Sequence, residues 1–356
     1  MDTPILIYGA NGYTGELIAR RAVARGLRPT IAGRNSAAIT ALAQRLGLPH
    51  VVVSLHDAEG LERALQGHKV VLHCAGPFSE TSAPMVAACL NTGVHYCDIT
   101  GEFTVFENLA SQDFAAVAAN IMVMPGVGFD VVPSDCLAAH LKRRLPSATR
   151  LELAFRSPGH TSRGTSTTVL KAIDHLSGYS VVRRDGRIVP IVMGSINREV
   201  DFGRGPVSAT AIPWGDITTG YHSTGIPNIT VYIVLPAFTK LILPLGGPLL
   251  NLATKAPVRD ILLGLVRNMP AGPTNEERAH GISMLWGEAS DDEGQQVSTR
   301  IRAAEGYTLT AMSAVLIAEK IVAGQWRSGF QTPSKVYGPD LVLEIEGTER
   351  FDNGTN

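Results

Sequence analysis

The first 145 residues alternate short apolar runs with stretches of helical periodicity, and this alternation limits the fold more than any other feature of the sequence. A strand, a crossover helix and a further strand build a parallel sheet with helices on both faces. We therefore predict a doubly wound α/β domain over residues 1–145. Its predicted strands are 5–8, 29–32, 50–55, 70–74, 94–99 and 120–124, its second helix is capped by Ser36, and one helix is expected over 100–119.

The pattern changes after Pro146 to longer β-like segments separated by glycine, proline and turn pairs such as Asp185-Gly186. Such a pattern favours an α+β domain with a mainly antiparallel sheet, which we assign to residues 146–305. A helix is predicted from residue 306 to a stop at Gly324, and we expect the C-terminal segment 306–356 to return to the first domain. The predicted strands of the second domain are 150–156, 208–214, 228–235, 282–288 and 296–303.

A glycine loop, "GANGYTG", directly follows the first apolar run. Its first glycine makes the turn, the second permits close approach of a ligand, and the third lets the helix pack against the sheet. Because N–H groups at a helix start bind phosphate, the loop predicts dinucleotide binding, and the alternative is a purely structural turn. The loop residues expected at the cofactor are Gly9, Asn11, Gly12, Tyr13, Thr14 and Gly15.

The residue after the second strand distinguishes NAD from NADP. An acid at this place binds the ribose hydroxyls of NAD, whereas an arginine suits the 2′-phosphate of NADP. The sequence reads "AGRNS", with Arg34 at that place and no carboxylate nearby, so NADP(H) is the predicted cofactor. After the fourth strand, either "AGPF" borders the ribose and nicotinamide or its Gly-Pro pair simply ends the strand. These residues are Ala75, Gly76, Pro77 and Phe78.

Acidic residues follow the fifth and sixth strands, in "CDITGE" and "GFDVVPSD". The doubly wound topology would bring both loops to the cofactor edge, where carboxylates bind a substrate amine or act as general acids if burial raises their pKa. Asp98 and Asp130 fit this role as well as a structural one. Glu102 and Asp135 fit more readily the first turn of a helix. The sequence shows no Tyr-x-x-x-Lys pair and no compact metal-ligand motif, so a short-chain dehydrogenase and a metal site are not predicted.

Composition excludes other classes of function. A formal net charge of -1 gives no field that attracts nucleic acid or an anionic membrane, and the 4 cysteines form no CxxC pair, so we expect a reduced, cytoplasmic protein. The N-terminus reads as a first strand and not as a signal peptide. Residues 232–266 are densely apolar but interrupted by prolines and Lys240. Buried helices or a homodimer interface, the wall of an apolar pocket, and membrane-surface contact remain open, and we favour the interface.

Several motifs together resemble the saccharopine dehydrogenase-like oxidoreductases. They are "GANGYTG", "AGR", "CAGPF", "YCDITGE" and "GFDVVPSD", followed by "SRGTSTTVL", "PWGD" and "YHSTGIPN". That family includes saccharopine reductases and the trans-acting enoyl reductases of lipid biosynthesis. The resemblance implies a Rossmann domain, an α+β second domain and a nicotinamide cofactor, but the motifs do not specify the substrate.

The activity expected from these features is hydride transfer between NADP(H) and a C=C or C=N bond of a small or lipid-linked substrate. Residues 146–305 would then form a substrate and dimerisation domain. A non-catalytic dinucleotide-binding sensor or scaffold is the alternative, because the sequence shows no recognisable catalytic dyad. The candidate catalytic residues are Tyr221, His222 and Asp130, and the candidate substrate-binding residues are Asp98, Glu102, Phe129 and Arg163.

Overall fold

The computed structural model describes residues 3–157, 161–167, 179–235, 264–266 and 268–353. No helix within these ranges has both the length and the apolar character that a membrane span requires. Residues 236–263 lie outside the described ranges, so all three explanations of the apolar stretch 232–266 remain predictions.

Two compact units make up the chain. The first unit contains Met1–Val132 and Gly306–Val336, and the second contains Pro133–Glu305 and Tyr337–Asn356. Of the C-terminal segment, the part up to residue 336 thus belongs with the glycine loop, whereas the chain after it belongs to the second unit. The assignment of residues 146–305 to substrate binding and dimerisation stays a prediction.

The first unit is built on a seven-stranded parallel sheet of order β15-β6-β5-β4-β1-β2-β3. This confirms the predicted Rossmann-type doubly wound sheet. Six of its seven strands, all except β3, are buried along their whole length, as expected where helices cover both faces. The strands are β1 (Ile5–Tyr8), β2 (Thr30–Gly33), β3 (His50–Val52), β4 (Val70–His73), β5 (His95–Asp98), β6 (Met122–Met124) and β15 (Gly329–Phe330).

The helices of this unit correct two expectations. Residues 100–119 form two helices, because Ser111 and Gln112 separate them. Asn35, not Ser36, caps the second helix, since its side chain accepts a hydrogen bond from the Ala38 N–H at 3.1 Å. The helices are α1 (Tyr13–Ala24), α2 (Ser36–Leu46), α3 (Ala58–Leu65), α4 (Phe78–Thr92), α5 (Phe103–Ala110), α6 (Asp113–Ala118) and α10 (Gly306–Val322).

The second unit contains a nine-stranded sheet of order β10-β11-β12-β7-β13-β14-β16, with β8 joining β12 to β9. Its β7–β12 pair is parallel and its other strand pairs are antiparallel, which confirms the predicted mainly antiparallel sheet. The strands are β7 (Arg150–Arg156), β8 (Tyr179–Arg184), β9 (Arg187–Val192), β10 (Asn197–Asp201), β11 (Pro206–Ala211), β12 (Asn228–Ile233), β13 (Ile282–Ser290), β14 (Gln296–Ala304) and β16 (Glu349–Asp352).

The predicted turn at Asp185 and Gly186 joins β8 to β9. Both residues have positive φ, 48° and 75°, as a two-residue type I′ hairpin requires. One face of the sheet packs against a helix, because a Cβ on Gly287 of β13 would lie 2.8 Å from the Leu141 side chain. The helices here are α7 (Val132–Arg144), α8 (Asp216–Thr224) and α9 (Asn275–His280), and a last helix, α11 (Pro333–Tyr337), belongs to the first unit except for its final residue.

Candidate functional site

The candidate site lies in the first unit, where the strand order reverses beside β1. The chain leaves β1 towards β2 on one side, and β4 lies on the other side. In open α/β sheets, ligands bind outside the carboxyl ends of the strands at such a switch point. The loops that follow β1, β4, β5 and β6 therefore meet at the edge where the sequence motifs predict a cofactor.

The glycine loop is closely packed, most tightly at Gly9 and Gly15 and less tightly at Gly12. Gly9 has φ +79°, and a Cβ there would lie 2.8 Å from the Ala75 backbone nitrogen, so this loop rests directly on the "AGPF" loop. A Cβ on Gly15 would collide with the Gly9 carbonyl oxygen. At Gly12 the contact is less severe, because the Gly9 oxygen lies 3.2 Å from the Cβ position.

The start of α1 is suited to hold a pyrophosphate. Gly12, its N-cap, has extended backbone and makes no side-chain cap hydrogen bond. The first turn of a helix lacks intrahelical acceptors for its N–H groups and carries the positive end of the helix dipole. A helix start whose N-cap is a glycine, without a side chain to cap it, fits an anionic ligand, so the residues present are compatible with a dinucleotide.

Arg34 lies on the neighbouring strand end, as predicted. It follows β2 directly and is exposed, and its charge lowers the pKa of the Tyr8 phenol on β1 against a larger rise caused by burial. The side-chain oxygen of Asn11 occupies the space above Gly33, where a Cβ would lie 2.8 Å from it. The glycine that ends β2 therefore lets a residue of the glycine loop pack beside Arg34.

The "AGPF" loop is held by polar side chains from elsewhere in the unit. The Glu102 carboxylate accepts hydrogen bonds from the N–H groups of Phe78 at 2.8 Å and Ser79 at 3.3 Å, at the start of α4. The Thr81 hydroxyl donates to the Pro77 carbonyl at 2.9 Å and lies 3.1 Å from Nε2 of buried His73. Burial lowers the pKa of His73 to about 3, so its ring is neutral.

His73 and Thr81 were missed by the sequence reasoning. A histidine inside an otherwise apolar strand, next to a candidate ligand loop, was the available signal. Its neutral ring supports the loop through Thr81.

Asp98 is fully buried at the end of β5 and holds two loops together. Its carboxylate accepts hydrogen bonds from the Tyr96 hydroxyl at 2.7 Å, the Thr100 N–H at 3.0 Å and the Gly126 N–H at 2.9 Å. Burial raises the pKa of Asp98 to about 6, although these donors favour the carboxylate. These contacts connect β5 to the loop after β6, and a direct role in substrate binding stays a prediction.

Asp130 differs from Asp98 because it is only half-buried and lies between two loops of the sheet edge. A Cβ on Gly101, in the loop after β5, would lie 3.0 Å from its Oδ2. Burial raises the pKa of Asp130 to about 7. The adjacent Phe129 donates its N–H to the Thr310 hydroxyl of α10 at 2.9 Å. A carboxyl group with this pKa exists in both protonation states near neutral pH.

The remaining candidates lie in the second unit. Tyr221 on α8 packs against buried Arg183, whose guanidinium carbon is 4.4 Å from the ring centroid, and the ring of His222 is 5.8 Å away. Arg163 is exposed, and Asp135 accepts a hydrogen bond from the Ser223 hydroxyl. The structure thus brings Tyr221 and His222 together, and their catalytic role stays a prediction.

Comparison with known proteins shows which family the first unit resembles. Residues 5–124 match the family model of the saccharopine dehydrogenase NADP-binding domain. The match covers about a third of the chain and shows a similarity of this part to that family. The match covers the glycine loop, Arg34 and the "AGPF" loop, so it confirms both the resemblance predicted from the motifs and a nicotinamide dinucleotide as cofactor.

The relatives described here match only part of this chain. A trans-acting enoyl reductase of Mycobacterium ulcerans is 33% identical over 160 residues, which are 42% of this chain and 38% of that protein. A probable mitochondrial saccharopine dehydrogenase-like oxidoreductase of Arabidopsis thaliana is 28% identical over 37% of this chain and 33% of that protein. The match therefore spans less than half the length of either relative.

The fold extends the similarity to the rest of the chain. The apo histidine-tagged saccharopine dehydrogenase (L-Glu forming) of Saccharomyces cerevisiae superposes with a TM-score of 0.69, over 98% of this chain and 99% of that one. At 10% sequence identity, this likeness shows a shared fold.

Proposed function

We propose that the protein is an NADP(H)-dependent oxidoreductase that transfers hydride to a C=C or C=N bond of a small or lipid-linked substrate. One observation carries the proposal: α1 begins at a glycine N-cap, Gly12, in the strand-to-helix turn next to Arg34, within a stretch that matches an NADP-binding domain. The names of the relatives, enoyl reductase and saccharopine dehydrogenase-like oxidoreductase, support the two bond types.

Arg34 is proposed to select NADP over NAD. Its guanidinium is exposed at the end of β2, where the adenosine ribose of a dinucleotide lies in this fold. A guanidinium donates paired, charge-assisted hydrogen bonds to a phosphate. Asn35 does not share this task in our proposal, because its side chain caps α2.

Asp130 is proposed as the proton donor. When bound, the nicotinamide supplies the hydride, and the protein must supply the accompanying proton. Asp130 lies at the same sheet edge, and with a pKa of about 7 it carries a proton in much of the population at neutral pH. Since the acid form is the active one, we expect turnover to fall as the pH rises through about 7.

The test is NADPH oxidation with a panel of enoyl thioesters and imines. With a productive substrate, Asp130→Asn should lower kcat by about 10²-fold or more and leave NADPH binding intact, because the amide cannot donate the proton. Asp57→Asn is the matched control, since asparagine caps α3 as well as aspartate does. An unchanged kcat in Asp130→Asn would refute the role of Asp130.

A dinucleotide-binding sensor or scaffold is the second candidate function. It is favoured because two carboxylates at the sheet edge, those of Asp98 and Glu102, already accept hydrogen bonds from protein donors. NADPH binding without oxidation by any substrate of the panel would support the sensor.

We further propose a cytoplasmic homodimer, with the apolar stretch 232–266 at the subunit interface. The proposal rests on the sequence, because large apolar surfaces usually have a partner. Light scattering should show a dimer for the unmodified protein and a monomer for Leu241→Glu. A folded variant of unchanged mass would favour a substrate pocket instead.

A further inference from the structure

Helix α10 begins at the candidate dinucleotide site, although no sequence motif predicted a role for it there. Tyr307, its second residue, packs its ring edge-to-face against Tyr13, with centroids 5.1 Å apart and planes at 89°. Tyr13 belongs to "GANGYTG" and is the first residue of α1. The two residues are 294 positions apart in sequence, yet both lie in the first unit.

The same turn of α10 also holds the loop that follows β6. The Thr310 hydroxyl accepts a hydrogen bond from the Phe129 N–H at 2.9 Å and donates one to the Gly306 carbonyl at 2.8 Å. One turn later, the Ser313 hydroxyl donates to the Val127 carbonyl at 2.7 Å. Gly306 lacks a side chain where the Phe129 ring approaches to 3.3 Å of its Cβ position. The start of α10 thus contacts both the glycine loop and the loop that carries Asp130.

We propose that Tyr307 is a positioning residue for the dinucleotide, and this inference rests on the proposed function. By packing on Tyr13, it holds the first turn of α1 in place before the cofactor arrives. A site that is ordered in advance loses less conformational entropy on binding and so binds more tightly. The ring carries this effect, because the contact is between aromatic rings.

Titration calorimetry with NADPH tests the proposal on the full-length protein. Tyr307→Ala should weaken NADPH binding about three- to tenfold, the range that an edge-to-face aromatic pair supports. Tyr307→Phe keeps the ring and should stay within about twofold of the unmodified protein. In a double-mutant cycle with Tyr13→Ala, the double variant should bind NADPH no more weakly than the weaker-binding single variant. The reason is that both single substitutions remove the same ring contact.

The control is Leu316→Ala, which shortens a half-buried side chain of the same helix about 14 Å farther along its axis. Thermal unfolding is followed in parallel, and Tyr307→Leu replaces Tyr307→Ala if the latter does not fold. The control should keep the NADPH affinity even if it lowers the melting temperature. Equal affinity in Tyr307→Ala, or fully additive losses in the cycle, would overturn the inference alone. An unmodified protein that binds no NADPH would overturn both it and the proposed function.

Discussion

The two units use their charged residues in different ways. In the first unit, Arg34 and Asp130 follow strand ends at one edge of a parallel sheet. In the second unit, Arg198 on β10 forms ion pairs with Glu152 on β7 and with Glu288 on β13, the latter at 2.6 Å. Charged side chains at a strand end are placed to bind a ligand, whereas the charged side chains on this sheet face form ion pairs with one another. We therefore expect substitutions at the edge to change cofactor affinity and substitutions on the face to change stability.

Arg198→Ala should give the largest effect. Glu152 and Glu288 lie directly opposite each other on neighbouring strands, and Arg198 separates their charges while packing 4.9 Å from the Trp286 ring centroid. Its loss leaves two facing carboxylates, so the free energy of unfolding should fall by about 2 to 4 kcal/mol, measured by chemical denaturation. The NADPH affinity should not change.

The control for this variant lies on the same sheet. Arg302→Ala removes an exposed ion pair with Glu349, at 3.7 Å, and should change stability by less than about 0.5 kcal/mol. If Arg198→Ala weakened NADPH binding at an unchanged stability, the contrast between the two units would fail.

The glycine loop gives the next effect. Gly15→Ala forces a Cβ into the Gly9 carbonyl oxygen and should cost about 1 to 3 kcal/mol of stability, as overpacking does. Gly12→Ala makes a less severe contact with that oxygen, at 3.2 Å, so it should cost less stability than Gly15→Ala, and it should lower NADPH affinity about tenfold because the methyl group hinders the close approach of the pyrophosphate. Thermal unfolding and calorimetry separate the two outcomes. A Gly12→Ala variant with full affinity would mean that the loop does not approach the cofactor.

Tyr96→Phe gives a smaller effect that depends on pH. The folded pKa of Asp98, about 6, lies above its ordinary value of 3.8, so ionisation of Asp98 reduces stability as the pH rises through about 6. The Tyr96 hydroxyl stabilises the carboxylate, and its removal should cost about 1 to 2 kcal/mol above that pH and less below it. Denaturation at several pH values checks this. An equal loss at every pH would show that Asp98 does not titrate.

The sequence predicted the first unit well because the residues at its sheet edge belong to short local motifs. Strand β1 was placed without error, and Gly9, Gly12 and Gly15 carry a requirement that depends on their immediate neighbours. Strand β15, with two residues, is too short to show a periodicity. The contact of Tyr307 with Tyr13 joins distant parts of the chain, and no local pattern signals it.

The second unit was predicted less completely, because fewer of its strands are signalled by a local sequence pattern. The strands β7, β11, β12, β13 and β14 overlap predicted strands, and β14 alternates buried and less buried residues along its length, whereas β8, β9, β10 and β16 were not predicted. The Arg198 network depends on which strands are neighbours, and only the fold shows that.

Calorimetric titration of the unmodified protein and of Arg34→Asp with NADPH and NADH tests the central claim most directly. A guanidinium–phosphate interaction contributes one or two charge-assisted hydrogen bonds of about 1.5 to 3 kcal/mol each. The unmodified protein should therefore bind NADPH more tightly than NADH, and Arg34→Asp should lose at least about tenfold of its NADPH affinity while NADH binding changes less. Equal losses for both cofactors, or no loss for either, would contradict an NADP site built around Arg34.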